Sequence, residues 1–106
     1  MNYQYTVTVA NGGLSGGING GGFLDVEMRY AAMLLDDDPG LPAENGSEWN
    51  PQTFTFADQQ DNTVTVLDGG NILQTWVIYQ QFCVPFNRSV PAGRYTGTVT
   101  FTAATI

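Results

Sequence analysis

Tyr3-Gln4-Tyr5-Thr6-Val7-Thr8-Val9 alternates without a break. Tyr3, Tyr5, Val7 and Val9 fall on one side and Gln4, Thr6 and Thr8 on the other. Period two with one apolar side is the pattern of a half-buried β-strand, and Tyr, Thr and Val all suit a pleated surface. The same pattern returns at Phe23–Tyr30, where Leu24, Val26, Met28 and Tyr30 oppose Asp25, Glu27 and Arg29. It returns again at Tyr95–Ala103, where Tyr95, Val99 and Phe101 are expected to point inward and Arg94, Thr96, Thr98, Thr100 and Thr102 outward.

Between these lie shorter signals. Thr53–Phe56 and Thr63–Leu67 read as strands, separated by a turn at Asp58–Asn62. Asp68-Gly69-Gly70-Asn71 reads as a tight turn. Ile72–Val84 reads as one long strand with Trp76, Ile78, Gln80 and Phe82 on one side. Ala31–Leu35 either prolongs its strand or forms a helical turn. Asp36-Asp37-Asp38-Pro39-Gly40 ends that element, and Trp49 is expected to fold back from the following loop onto the core. Six to seven short strands with turn punctuation and no helical period predict an all-β fold. The expected architecture is an antiparallel β-sandwich, Ig-like or jelly-roll-like, with a closed barrel as the structural alternative.

One stretch interrupts the pattern. Residues 12–22 hold seven of the thirteen glycines. Glycine supplies no side chain to a core and leaves the backbone free. The expected organisation is one domain in three parts: an N-terminal strand or arm at 1–10, a glycine-rich tether or long loop at 11–22, and a sandwich body at 23–106. An amphipathic strand on such a tether can pair with its own sheet or with a neighbour's.

Composition narrows the function. The 106 residues include ten acids, three arginines, no lysine and no histidine, for a net charge of −7. Phosphate backbones and anionic membrane surfaces would be repelled, so nucleic acid is not an expected partner. No segment approaches the ~20 apolar residues of a membrane span, so membrane insertion is not expected either. Without histidine or lysine, Ser-His, Cys-His and Schiff-base chemistry have no residues to run on, and zinc sites built on histidine are excluded. A carboxylate pair, Asp25 with Glu27, remains formally open but reads as a solvated strand face. No enzyme activity and no cofactor are expected. Asp36, Asp37 and Asp38, with Asp58 and Asp61, are oxygen-rich loops, the candidates for calcium if two loops converge; solvated turns are the simpler reading. Cys83, the single cysteine, reads as a small core residue.

The segment Ser89-Val90-Pro91-Ala92-Gly93-Arg94-Tyr95-Thr96-Gly97-Thr98-Val99-Thr100-Phe101-Thr102 resembles the ending of bacterial immunoglobulin-like domains and of chaperone–usher pilins, including the spore coat U-like group. They finish with a Pro-x-Gly-x-Tyr turn and alternating Thr and Val. The resemblance covers about one-seventh of the chain. It implies a sandwich and, in the pilin case, a filament subunit at the bacterial cell surface. The chain departs from those pilins in two ways: Cys83 is late and single, and the glycine tract has no counterpart.

The function expected from the residues is a structural subunit, most simply a virion component such as a capsid decoration or tail protein, assembled in the host cytoplasm. The opening Met1-Asn2-Tyr3-Gln4-Tyr5 has neither a basic nor an apolar run, so the expectation is either a product that stays in the cytosol during synthesis or an exported mature form given an initiating Met. A pilin-like or adhesin subunit and a sugar-binding module using Trp49 or Tyr79 are the alternatives. The partners expected are other protein subunits, including copies of the same chain. Tyr3, Tyr5, Val7, Val9, Tyr95, Val99 and Phe101 are the candidate strand-pairing residues.

Overall fold

A computed structural model of the chain describes residues 1–37, 52–86 and 89–106. It is all-β, and the described residues contain no α-helix. The strands are β1 (Asn2–Val9), β2 (Gly13–Gly16), β3 (Gly22–Asp25), β4 (Glu27–Leu34), β5 (Gln52–Thr55), β6 (Thr63–Asn71), β7 (Trp76–Cys83), β8 (Tyr95–Thr96) and β9 (Val99–Thr105). They form three antiparallel three-stranded sheets, ordered β6-β1-β9, β3-β2-β8 and β5-β4-β7.

The first and third sheets face each other and enclose the core. Val7 and Val9 of β1 and Val64 and Val66 of β6 meet Met28 and Tyr30 of β4, with Val26 and Phe56 filling the ends. Phe56, Met28, Val7 and Val9 are fully buried. Burying each such side chain contributes roughly 1.5–3 kcal/mol relative to exposure. The two sheets cross obliquely. Along β7, Trp76 donates its indole N–H to the Asn71 carbonyl at the end of β6 (3.1 Å), Gln80 lies over Tyr5 of β1, and Phe82 reaches Phe101 of β9. One strand thus passes across all three strands of the facing sheet.

The outer face of the β6-β1-β9 sheet is threonine. Thr65, Thr6 and Thr102 lie side by side across the three strands, as do Thr63, Thr8 and Thr100. The hydroxyls of Thr8 and Thr63 are 2.7 Å apart. Cross-strand threonine pairs of this kind stabilise a sheet while keeping its outer side polar.

The structure corrects five expectations. Asp68-Gly69-Gly70-Asn71 is not the hairpin turn; β6 runs through it, and the turn follows at 72–75. Gly69, at φ +85°, is an extra residue between the pairs Tyr3–Gly70 and Gln4–Asp68, so its left-handed backbone makes a bulge. Val66 is a second bulge in the same strand.

The glycine stretch is not a free tether in this structure. It contains β2 and β3 and the turn between them, and it docks on the loop before β8: Gly17 N–H donates to the Arg94 carbonyl (3.0 Å) and Ile18 N–H to the Ala92 carbonyl (2.8 Å). Glycine is needed at Gly16 for this approach, because a Cβ there would collide with the Arg94 carbonyl oxygen. The Tyr95 hydroxyl bonds back to the Pro91 carbonyl and ties the corner together, the geometry of a tyrosine corner.

The expected strand at Phe23–Tyr30 is two strands. Val26 is buried and belongs to neither; the chain changes sheets there, and Phe56 N–H donates to its carbonyl. The third long strand likewise breaks at Gly97–Thr98, which leaves Tyr95 in β8 and Val99 and Phe101 in a different sheet.

Cys83 is exposed rather than in the core. It pairs with Glu27 on the outer face of its sheet, one residue out of phase with the inward Phe82. Trp49 and Asp38 lie outside the described residues.

Candidate assembly surface

Strand β9 is a sheet edge. It pairs with β1 in unbroken register, from Tyr3–Thr105 to Val9–Val99, and, among the described residues, with nothing on its other side. Asn2 and Ile106 exchange both backbone hydrogen bonds (2.9 and 2.7 Å), and the Thr98 carbonyl accepts from Ala10 N–H. In an antiparallel ladder such bonds alternate along the strand. Even-numbered residues of β9 therefore turn their N–H and C=O groups to β1, and Val99, Phe101, Ala103 and Thr105 turn theirs outward.

The side chains of those odd-numbered residues lie on the core-facing side, yet the core does not cover them. Val99 is 38% exposed and Phe101 is 52% exposed. Phe101 stacks on Tyr5 (6.4 Å between ring centroids) and meets Phe82 edge to face (6.2 Å, 79°). Phe82 in turn stacks on the buried Phe56 at 6.5 Å and is itself 39% exposed. A chain of aromatic rings thus runs from the interior to the β9 rim. Val84 and Phe86, which follow β7, are also exposed.

The sheets part at the opposite end of β9. Tyr3, Tyr5, Leu67, Trp76, Ile78 and Ala103 line an open groove of about 300 Å³. Polar groups inside the sandwich are matched to one another. Tyr5 O–H donates to Gln80 Oε1 (3.0 Å), Gln80 Nε2 contacts the Met28 sulfur (3.3 Å), and Tyr30 O–H donates to Gln52 Oε1 (2.8 Å). Burial pushes both the Tyr5 and the Tyr30 hydroxyl above the usual phenol range, the bond to Gln80 opposing the rise at Tyr5.

Of the candidate strand-pairing residues, Tyr3, Tyr5, Val7 and Val9 sit in β1, paired on both sides within the same chain. Val99 and Phe101 are on the rim. Tyr95 is not; it pairs with Gly16 in the small sheet. Alternation alone does not reveal the exposure of Phe82, whose pattern looks like that of any inward residue. The signal that was available is Val84-Pro85-Phe86, where proline ends the strand and leaves two apolar side chains beyond it.

The acidic loops do not come together. Asp36 and Asp37 follow the C-terminal end of β4, whereas Asp58 and Asp61 follow β5, whose end pairs with the start of β4. The eight residues of β4 separate them by roughly 25 Å. Among the described residues no three acidic or cysteine side chains cluster as a metal site would require. Asp25 and Glu27 are also parted, Asp25 pairing with Gly13 in one sheet and Glu27 with Thr55 and Cys83 in another.

Compared with family models, curated proteins and solved structures, the chain matches none.

Proposed function

We propose that this protein is a structural subunit that works by packing against other protein subunits, as a coat, decoration or tail component of a virion. The observation that carries the reading is the β9 rim: a seven-residue edge strand, exposed throughout, with the half-exposed rings of Phe82 and Phe101 beside it. Natural sheets blunt their edges with charge, proline, bulges or short strands. The other edge of the same sheet follows that rule, since β6 carries two bulges and Asp68. β9 has none of these devices, which fits an edge meant to be covered. The charge of −7 without lysine fits a protein kept soluble at high local concentration until it assembles.

The test is fractionation. Particles from the source organism are banded on a density gradient, and the chain is quantified by mass spectrometry. The reading expects it to band with the particles in a fixed ratio to their major protein. Recovery only among soluble low-mass proteins would contradict it.

A further inference from the structure

We infer that the β9 rim pairs with the β9 rim of a second copy, antiparallel about a twofold axis at Thr102, joining two sheets into one of six strands ordered β6-β1-β9-β9-β1-β6. This rests on the subunit reading above and names its partner and contact.

Three observations favour a second copy. The first is register. The free N–H and C=O groups belong to odd-numbered residues, so a twofold at Thr102 sets Phe101 opposite Ala103 and Val99 opposite Thr105 as hydrogen-bonded pairs. Phe101 then faces the small Ala103 and Val99 faces the similar-sized Thr105 on the apolar side, and Thr100 and Thr102 of both copies fall on the polar side. The second is charge. Two chains of −7 repel, but residues 95–106 carry no charged side chain, so this rim is where copies can approach. The third is exposure. Among the described residues β7 is the other long edge without charge, bulge or proline, yet its residues 76–80 are partly buried, whereas β9 is exposed from end to end.

The oblique path of β7 adds a fourth. The strand passes from β6 over β1 to β9, where Phe82 meets Phe101, and the exposed Val84 and Phe86 follow it in sequence. Phe86 is 78% exposed. A strand added at β9 would bring its own Val99, Phe101 and Ala103 to the side on which Phe82 and Phe101 already meet.

The test uses Thr102→Cys in a Cys83→Ser background. At the axis the two Thr102 residues form a non-hydrogen-bonded pair, with Cα atoms about 4.5 Å apart. That is within disulfide reach. Thr65→Cys, on the same polar face at the far edge, is the control. Light scattering of the Cys83→Ser protein should give twice the 11.5 kDa monomer mass. Mild oxidation should convert the Thr102→Cys protein, and not the Thr65→Cys protein, to a covalent dimer. Ala103→Pro removes one outward N–H and no bond to β1, so it should give a folded monomer with an unchanged far-ultraviolet spectrum. A doubled mass without selective cross-linking, or with Ala103→Pro still dimeric, would overturn β9 pairing while leaving the subunit reading standing. A mass of 11.5 kDa at every concentration would overturn the self-pairing, and particle fractionation would then decide the subunit reading alone.

Discussion

The hydroxyl of Tyr5 donates a hydrogen bond to Oε1 of Gln80 across the gap between two sheets, at 3.0 Å. Tyr5 stands in the central strand of one sheet and Gln80 in an edge strand of the other, 75 residues apart in sequence. The bond fixes the crossing that brings Phe82 over Phe101. A polar pair within an apolar layer is orienting as much as stabilising, because only one placement satisfies both groups.

Tyr5→Phe is expected to destabilise the protein by about 1 kcal/mol, since Gln80 loses its donor. For a domain of this size that lowers Tm by roughly 5 °C. Combining it with Gln80→Leu should cost less than the sum of the two single changes. Thermal melts of all three variants check this, and strict additivity would mean that the bond contributes nothing.

Phe56 and Phe101 should separate folding from assembly. Phe56 is fully buried, so Phe56→Ala should cost about 3–5 kcal/mol in urea unfolding. Phe101 keeps half its surface in water, so Phe101→Ala should cost about 1 kcal/mol in the isolated chain and yet weaken incorporation into particles. Equal losses in both variants would place Phe101 in the core.

Two glycines with open space around them should respond oppositely. Gly69 sits at φ +85° in the β6 bulge, so Gly69→Ala should destabilise by about 1–2 kcal/mol through backbone strain alone. Gly21 has no such φ, so Gly21→Ala should be neutral or stabilise by about 0.4–1 kcal/mol by restricting the unfolded chain. Urea midpoints of the two variants measure the difference.

The raised phenols of Tyr5 and Tyr30 set an alkaline limit. Their folded pKa values lie above the ordinary 10.0, so the folded state holds these protons more tightly than the unfolded state. Stability is therefore unaffected by these groups below about pH 10 and falls as pH rises through and beyond that value. Unfolding monitored with tyrosinate absorbance should show the decline, and Tyr5→Phe should make it shallower.

Strand existence was legible because alternation in Tyr3–Val9, Met28–Tyr30 and Val64–Val66 reports burial directly. Strand ends were less so. Gly69 and Val26 show why: a glycine can serve a turn or a bulge, and an alternating residue can be the point where the chain changes sheets. Neither is decided by neighbours in sequence. The rim was half legible. Alternation correctly gave Val99 and Phe101 their side, but exposure depends on how far the facing sheet reaches, which the oblique crossing of β7 determines. The exposed Cys83 shows the same limit, since its apolar neighbours Phe82 and Val84 face the other way.

Amide hydrogen exchange along β9 tests the whole account most directly. In the dilute chain, the even-numbered amides of Thr100, Thr102 and Ala104 should be protected by β1, and those of Val99, Phe101, Ala103 and Thr105 should exchange freely. In the assembled form all seven should be protected. Odd-numbered amides that exchange as fast after assembly as before would contradict the claim that this rim is where subunits meet.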